Sequence, residues 1–73
     1  MSTKVNTITR MSVDNLNGVT AFSVTVTEDL GVALASRGTF EIRIAEKFEG
    51  INDEAQAAVD AFMAEHAVAL GLA

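Results

Sequence analysis

Residues 9–27 read T-R-M-S-V-D-N-L-N-G-V-T-A-F-S-V-T-V-T, and the fold class turns on them. After Gly18, the large apolar residues Phe22, Val24 and Val26 alternate with Ser23, Thr25 and Thr27. That period of two marks a strand with one buried face. Before the turn, Met11 and Val13 alternate with Arg10, Ser12 and Asp14, within a Thr-, Val- and Ile-rich run over 4–14 that favours a strand. Asn17-Gly18 lies between the runs, and this dipeptide supplies the two positive φ angles of a type I′ hairpin turn. A two-residue turn there sets a register: Leu16 opposite Val19, Val13 opposite Phe22, Met11 opposite Val24 and Thr9 opposite Val26. The large apolar side chains then share one face, and Arg10, Ser12, Asp14, Ser23 and Thr25 share the other. A slip by one residue would mix the two sets. Ile8 is out of phase with Met11 and Val13, which marks a bulge or the end of the strand.

Downstream, Phe40, Ile42 and Ile44 alternate with Glu41 and Arg43, a further strand within 39–48. Residues 28–38 carry two readings. As a strand, Val32 and Leu34 would face Ile42 and Phe40 across a Ser36-Arg37-Gly38 loop, giving a four-stranded meander. As a helix, Thr27 would cap it, Glu28 and Asp29 would complement its dipole and Gly38 would stop it, giving ββαβα. Strand is the preferred reading, because it leaves one continuous apolar face. Near the C-terminus, Asn52 or Asp53 can cap a helix, and Asp53 with Gln56 resembles a capping box. Ala55, Val59, Phe62, Met63, His66 and Leu70 fall on one helical stripe that would cover the sheet, and Gly71 ends the helix. Phe48 and Ile51 close the corner between sheet and helix. The chain thus reads as one α+β domain over residues 1–73: a three- to four-stranded antiparallel sheet, with a hairpin at Asn17-Gly18, and one C-terminal helix packed on one face. Phe22, Phe40, Ile42, Ile44 and Phe62 form the expected core.

Composition narrows function by exclusion. A 73-residue chain buries only about 60% of the surface it exposes when unfolded. Domains this small commonly need a disulfide, a metal or a partner to hold them. There is no Cys and only one His, so a partner chain is the support that remains. A net charge of −5, with five scattered basic residues, argues against direct nucleic-acid binding and against anionic lipid. No apolar run reaches the ~18 residues of a membrane span. Nor does the chain open with a charged segment followed by an apolar one, so no signal peptide is expected. The expected location is the cytoplasm or a virion.

The candidate chemical groups are few. His66 has no Ser, Cys or second His at a useful spacing, and its plain role is a rim histidine bonded to a backbone carbonyl. Glu46, Glu49, Asp53 and Glu54 could approach a hard cation, but they match no calcium loop and suit a helix N-terminus through its dipole alone. The triplets T-I-T (7–9) and T-V-T (25–27) are similar to the Thr ladders of ice-binding surfaces, but two isolated copies are too few for an array, and Thr suits a solvated strand face in any case. The five glycines stand singly, so no phosphate-cradling loop exists. No catalytic, metal or cofactor site is expected. One surface stands out: Ala57, Ala61, Ala64 and Val68 make a second helical stripe, nearly opposite the core stripe, and small side chains let another helix approach closely. The small residues Ala21, Ser23 and Thr25, with Ala33 and Ala35, make the sheet's outer face a rival contact. The reading is a non-enzymatic structural or assembly module that partners itself, a homo-oligomeric building block of a larger particle, such as a phage virion, or of another complex. The alternative is a small acidic regulator or inhibitor bound to a larger host protein.

Overall fold

A computed structural model describes residues 3–72. Three strands, β1 (Thr3–Asp14), β2 (Val19–Asp29) and β3 (Leu34–Ile44), form an antiparallel meander in the order β1-β2-β3, and one helix, α1 (Asp53–Glu65), follows. The arrangement is α+β, as the alternation of apolar residues and the helical stripe imply.

β2 is the central strand, and its even-numbered residues carry the core. Thr20, Phe22, Val24 and Val26 are all buried, while their odd-numbered neighbours are half-buried on the opposite face. Ile8, Ile42, Phe48, Ala55, Val59, Met63 and Leu72 complete the buried cluster. Phe22 and Phe48 meet edge to face with ring centroids 5.5 Å apart, a favoured aromatic geometry. Phe40, Ile44 and Phe62 are only half-buried. β3 is an edge strand, and a 13-residue helix does not reach across the whole sheet. At the corner Phe48 is buried but Ile51 is 55% exposed.

The first hairpin departs from the type I′ expectation. Asp14 pairs with Val19, Val13 with Thr20 and Met11 with Phe22. Val13 therefore does not oppose Phe22, and the register differs by two residues. The loop is Asn15-Leu16-Asn17-Gly18. Asn17 does not adopt the positive φ that a type I′ turn needs; only Gly18 does, at +67°. The cause is Asp14: its carboxylate accepts the backbone N–H groups of Leu16 and Asn17 and the side-chain amide of Asn17. The Gly18 N–H donates back to the Asp14 carbonyl at 2.9 Å. Leu16 is left at the tip, 93% exposed. The slip is an even number of residues, so the apolar side chains keep their face.

The expected bulge at Ile8 is present. Ile8 pairs with Val24 and Arg10 with Ser23, which leaves Thr9 as the extra residue. Its hydroxyl donates to the Ser23 carbonyl. The bulge turns Ile8 into the core beside Met11.

Residues 28–38 follow neither reading. Glu28 and Asp29 extend β2, residues 30–33 turn, and Leu34 begins β3. The Asp29 carboxylate accepts the Gly31 N–H, and Gly31 has φ +86°. Gly38 sits inside β3 at φ +119°, where Arg37 is a second extra residue between the Val26–Gly38 and Thr27–Ser36 pairs. The sheet therefore has three strands, not four. Val32 and Leu34 are 95% and 72% exposed and do not face Ile42 and Phe40.

α1 is capped by Asn52, whose side-chain oxygen accepts the Ala55 N–H. Gln56 does not close a box with Asp53. It donates instead to the Asn6 carbonyl and to Asp60, and Asn6 also donates to Asp60, which ties the helix to β1. One more helical turn follows His66. It ends with the Leu72 N–H on the Ala67 carbonyl and the Gly71 N–H on the Val68 carbonyl, the Schellman pattern with Gly71 at φ +75°. Leu72 is thereby folded back into the core.

Candidate functional site

The structure separates the candidate groups more than it assembles them. His66 is half-buried, stacked on Phe62 with ring centroids 4.1 Å apart, and its Nδ1 lies 3.0 Å from the Phe62 carbonyl oxygen. A carbonyl only accepts, so Nδ1 carries the proton there. This is a rim histidine engaged with its own helix. Among the described residues, no three His, Asp or Glu side chains come together as a metal site would require. Glu46, Glu49, Asp53 and Glu54 thus share a corner without converging.

Ala57, Ala61 and Ala64 are exposed on α1, and Ala64 borders a depression shared with Lys4 and Asn6 of β1. Val68 is 83% exposed but lies beyond the end of α1, in the turn that follows. The stripe is therefore three alanines on the helix and a valine in its terminal turn.

The larger open surface is the outer face of the sheet. α1 packs on one face, and among the described residues nothing covers the other. Its cross-strand rows follow from the pairing: Ser12–Ala21–Arg43, Arg10–Ser23–Glu41 and Thr7–Thr25–Thr39. Thr25 and Thr39 share a hydroxyl hydrogen bond at 3.2 Å. Along β2 the floor is Ala21, Ser23, Thr25 and Thr27, all small and half-buried. At the end distant from the first hairpin, Val5 and Leu34 are 53% and 72% exposed beside Leu30 at 50%. At the other end a shallow depression of about 550 Å³ lies among Ser12, Asp14, Val19, Ala21 and Arg43. The one carboxylate in it, Asp14, is held below its ordinary 3.8. The side-chain amide of Asn17 is the main cause, followed by the Asn17 and Leu16 backbone N–H groups and the charge of Arg43. Asp14 is thus ionised at neutral pH and engaged by its own loop, a poor base for chemistry and a good clamp for the turn.

The alternation of residues 19–27 placed Ala21, Ser23 and Thr25 on this face. The exposure of Leu34 was not legible, because the length of β2 and the bulge at Arg37 decide which way residue 34 points. No protein-family model, curated protein or solved structure matches the chain.

Proposed function

We propose that this chain is a non-enzymatic assembly module, a homo-oligomeric building block of a larger particle or complex, working in the cytoplasm or within a virion. The observation that carries this reading is the uncovered sheet face. Three strands of 11 or 12 residues present a floor of small side chains with Val5 and Leu34 at one end. Antiparallel sheets can leave one face to water, but a chain of this size gains from burying more surface. Removing apolar area from water returns about 25 cal/mol per Å², from which the cost of association is subtracted. The alanine stripe of α1, with Val68 beyond it, offers a second, narrower contact.

The experiment is sedimentation and light scattering of the full chain over a wide concentration range. Self-association is the expected result. A chain that stays monomeric and stable at the highest concentrations would overturn the homo-oligomer reading.

A further inference from the structure

The open sheet face is complementary to itself in charge about one axis and not about another. Arg10 on β1, Ser23 on β2 and Glu41 on β3 make a single row. Arg10 and Glu41 stand one strand out on either side of Ser23, roughly 10 Å apart by strand spacing. Both are exposed, and among the described residues neither has an ion-pair partner. From Ala21 to Thr27 this face of β2 carries nothing larger than threonine, so a second sheet can approach closely along that strand.

We infer that this face joins two copies of the chain, related by a two-fold axis running along β2. The inference rests on the homo-oligomer reading and specifies its contact. Rotation about that axis exchanges the two edges of the sheet. Each Arg10 then lies over the partner's Glu41, and the contact occurs twice, as an isologous interface requires. Ser12 likewise meets the partner's Arg43, and Thr7 meets the partner's Thr39. A two-fold axis across the strands at this row would set Arg10 on Arg10 and Glu41 on Glu41, so charge selects the orientation. Aligned sheets cross at about 30°, which displaces a residue one strand out by only ~3 Å. An arginine side chain spans that easily. Three strands about 4.8 Å apart and some 11 residues long give a face on the order of 500 Å² per copy. Two copies bury about 1,000 Å², the lower bound of specific interfaces. The dimer would be a sandwich of two sheets with a helix on each outer side.

The test is a charge-swap experiment on the full chain, read by sedimentation equilibrium. Circular dichroism melts of each variant check that it folds. Arg10→Glu alone sets two carboxylates against each other in both contacts, and Glu41→Arg alone sets two cations together. Each should weaken dimerisation by roughly tenfold or more. The double variant should recover it. An equimolar mixture of the two single variants should also dimerise, because the mixed pair places Glu against Arg in both contacts. Recovery in the mixture cannot come from folding within one chain. Wild-type association that ignores both single changes, or a mixture that fails to recover, overturns this geometry and leaves the homo-oligomer reading standing on the helix or the sheet edges. A monomeric wild type overturns both.

Discussion

Thr20 shows how much one hydroxyl can hold. It is fully buried, donates to the Glu46 carbonyl at 2.6 Å and accepts from the Phe48 N–H at 3.3 Å. It thereby ties the start of β2 to the chain that leaves β3, and seats Phe48 against Phe22. Thr20→Val keeps the shape but strands both backbone groups, and should cost about 1–3 kcal/mol. Thr20→Ser keeps the hydroxyl and should lose less of that polar contribution. Urea midpoints of the two variants in the reverse order would refute the assignment. Phe22→Ala should cost about 3–5 kcal/mol, a large part of the margin of any small domain. Phe62→Ala, with its ring half-buried against His66, should cost less. The alternation of residues 19–27 puts Phe22 in the core correctly. It also puts Thr20 there, but the demand for a hydroxyl at that position comes from a carbonyl and an N–H some 26 and 28 residues away, which no local pattern announces. Phe40, Ile44 and Phe62 pack against the core as expected but stay only half-buried, because β3 is an edge strand and α1 is short.

At the scale of the element, the first hairpin forms where the alternation implies, but in a register two residues away from the one Asn17-Gly18 implies. Asn-Gly favours a two-residue turn, yet three hydrogen bonds to one carboxylate favour the four-residue loop that keeps Asn17 at negative φ. The competing signal is an aspartate three residues before an asparagine. Asp14→Ala should destabilise the domain at neutral pH. Because the folded carboxyl sits below its ordinary 3.8, that contribution is present above the ordinary value and is lost as pH falls through the lower, folded one. The gap between wild type and variant in urea melts should therefore narrow from about pH 6 to about pH 2. A gap that widens on acidification would contradict the clamp. Asn52→Ala should cost about 1 kcal/mol through loss of the helix cap, whereas Asp53→Ala should cost less, since Asp53 is not the capping residue.

For the whole molecule, the question is which uncovered surface is used. The alanine stripe is legible from helical spacing alone, but the end of α1 before Val68 is not. Ala61→Glu is a discriminating change. Glutamate is nearly as good a helix former as alanine, so the monomer should melt within a few tenths of a kcal/mol of wild type. Assembly through the sheet should survive the change, and assembly through the helix would bury an unpaired charge and fail. Light scattering of this variant beside the Arg10 and Glu41 variants separates the two surfaces.

The two extra residues, Thr9 in β1 and Arg37 in β3, give the gene two places where its length can vary. Elsewhere in a strand, losing one codon sends every residue on one side of the gap to the wrong face of the sheet. Loss of the Thr9 codon instead joins Ile8, which points inward, to Arg10, which points outward, and restores a regular alternation with the Val24 and Ser23 pairs unchanged. Deletion of Thr9 should leave a folded domain with a less twisted sheet, whereas deletion of Ser12 from the same strand should not fold. Drift in length along this lineage should therefore concentrate at the bulges as much as in the loops.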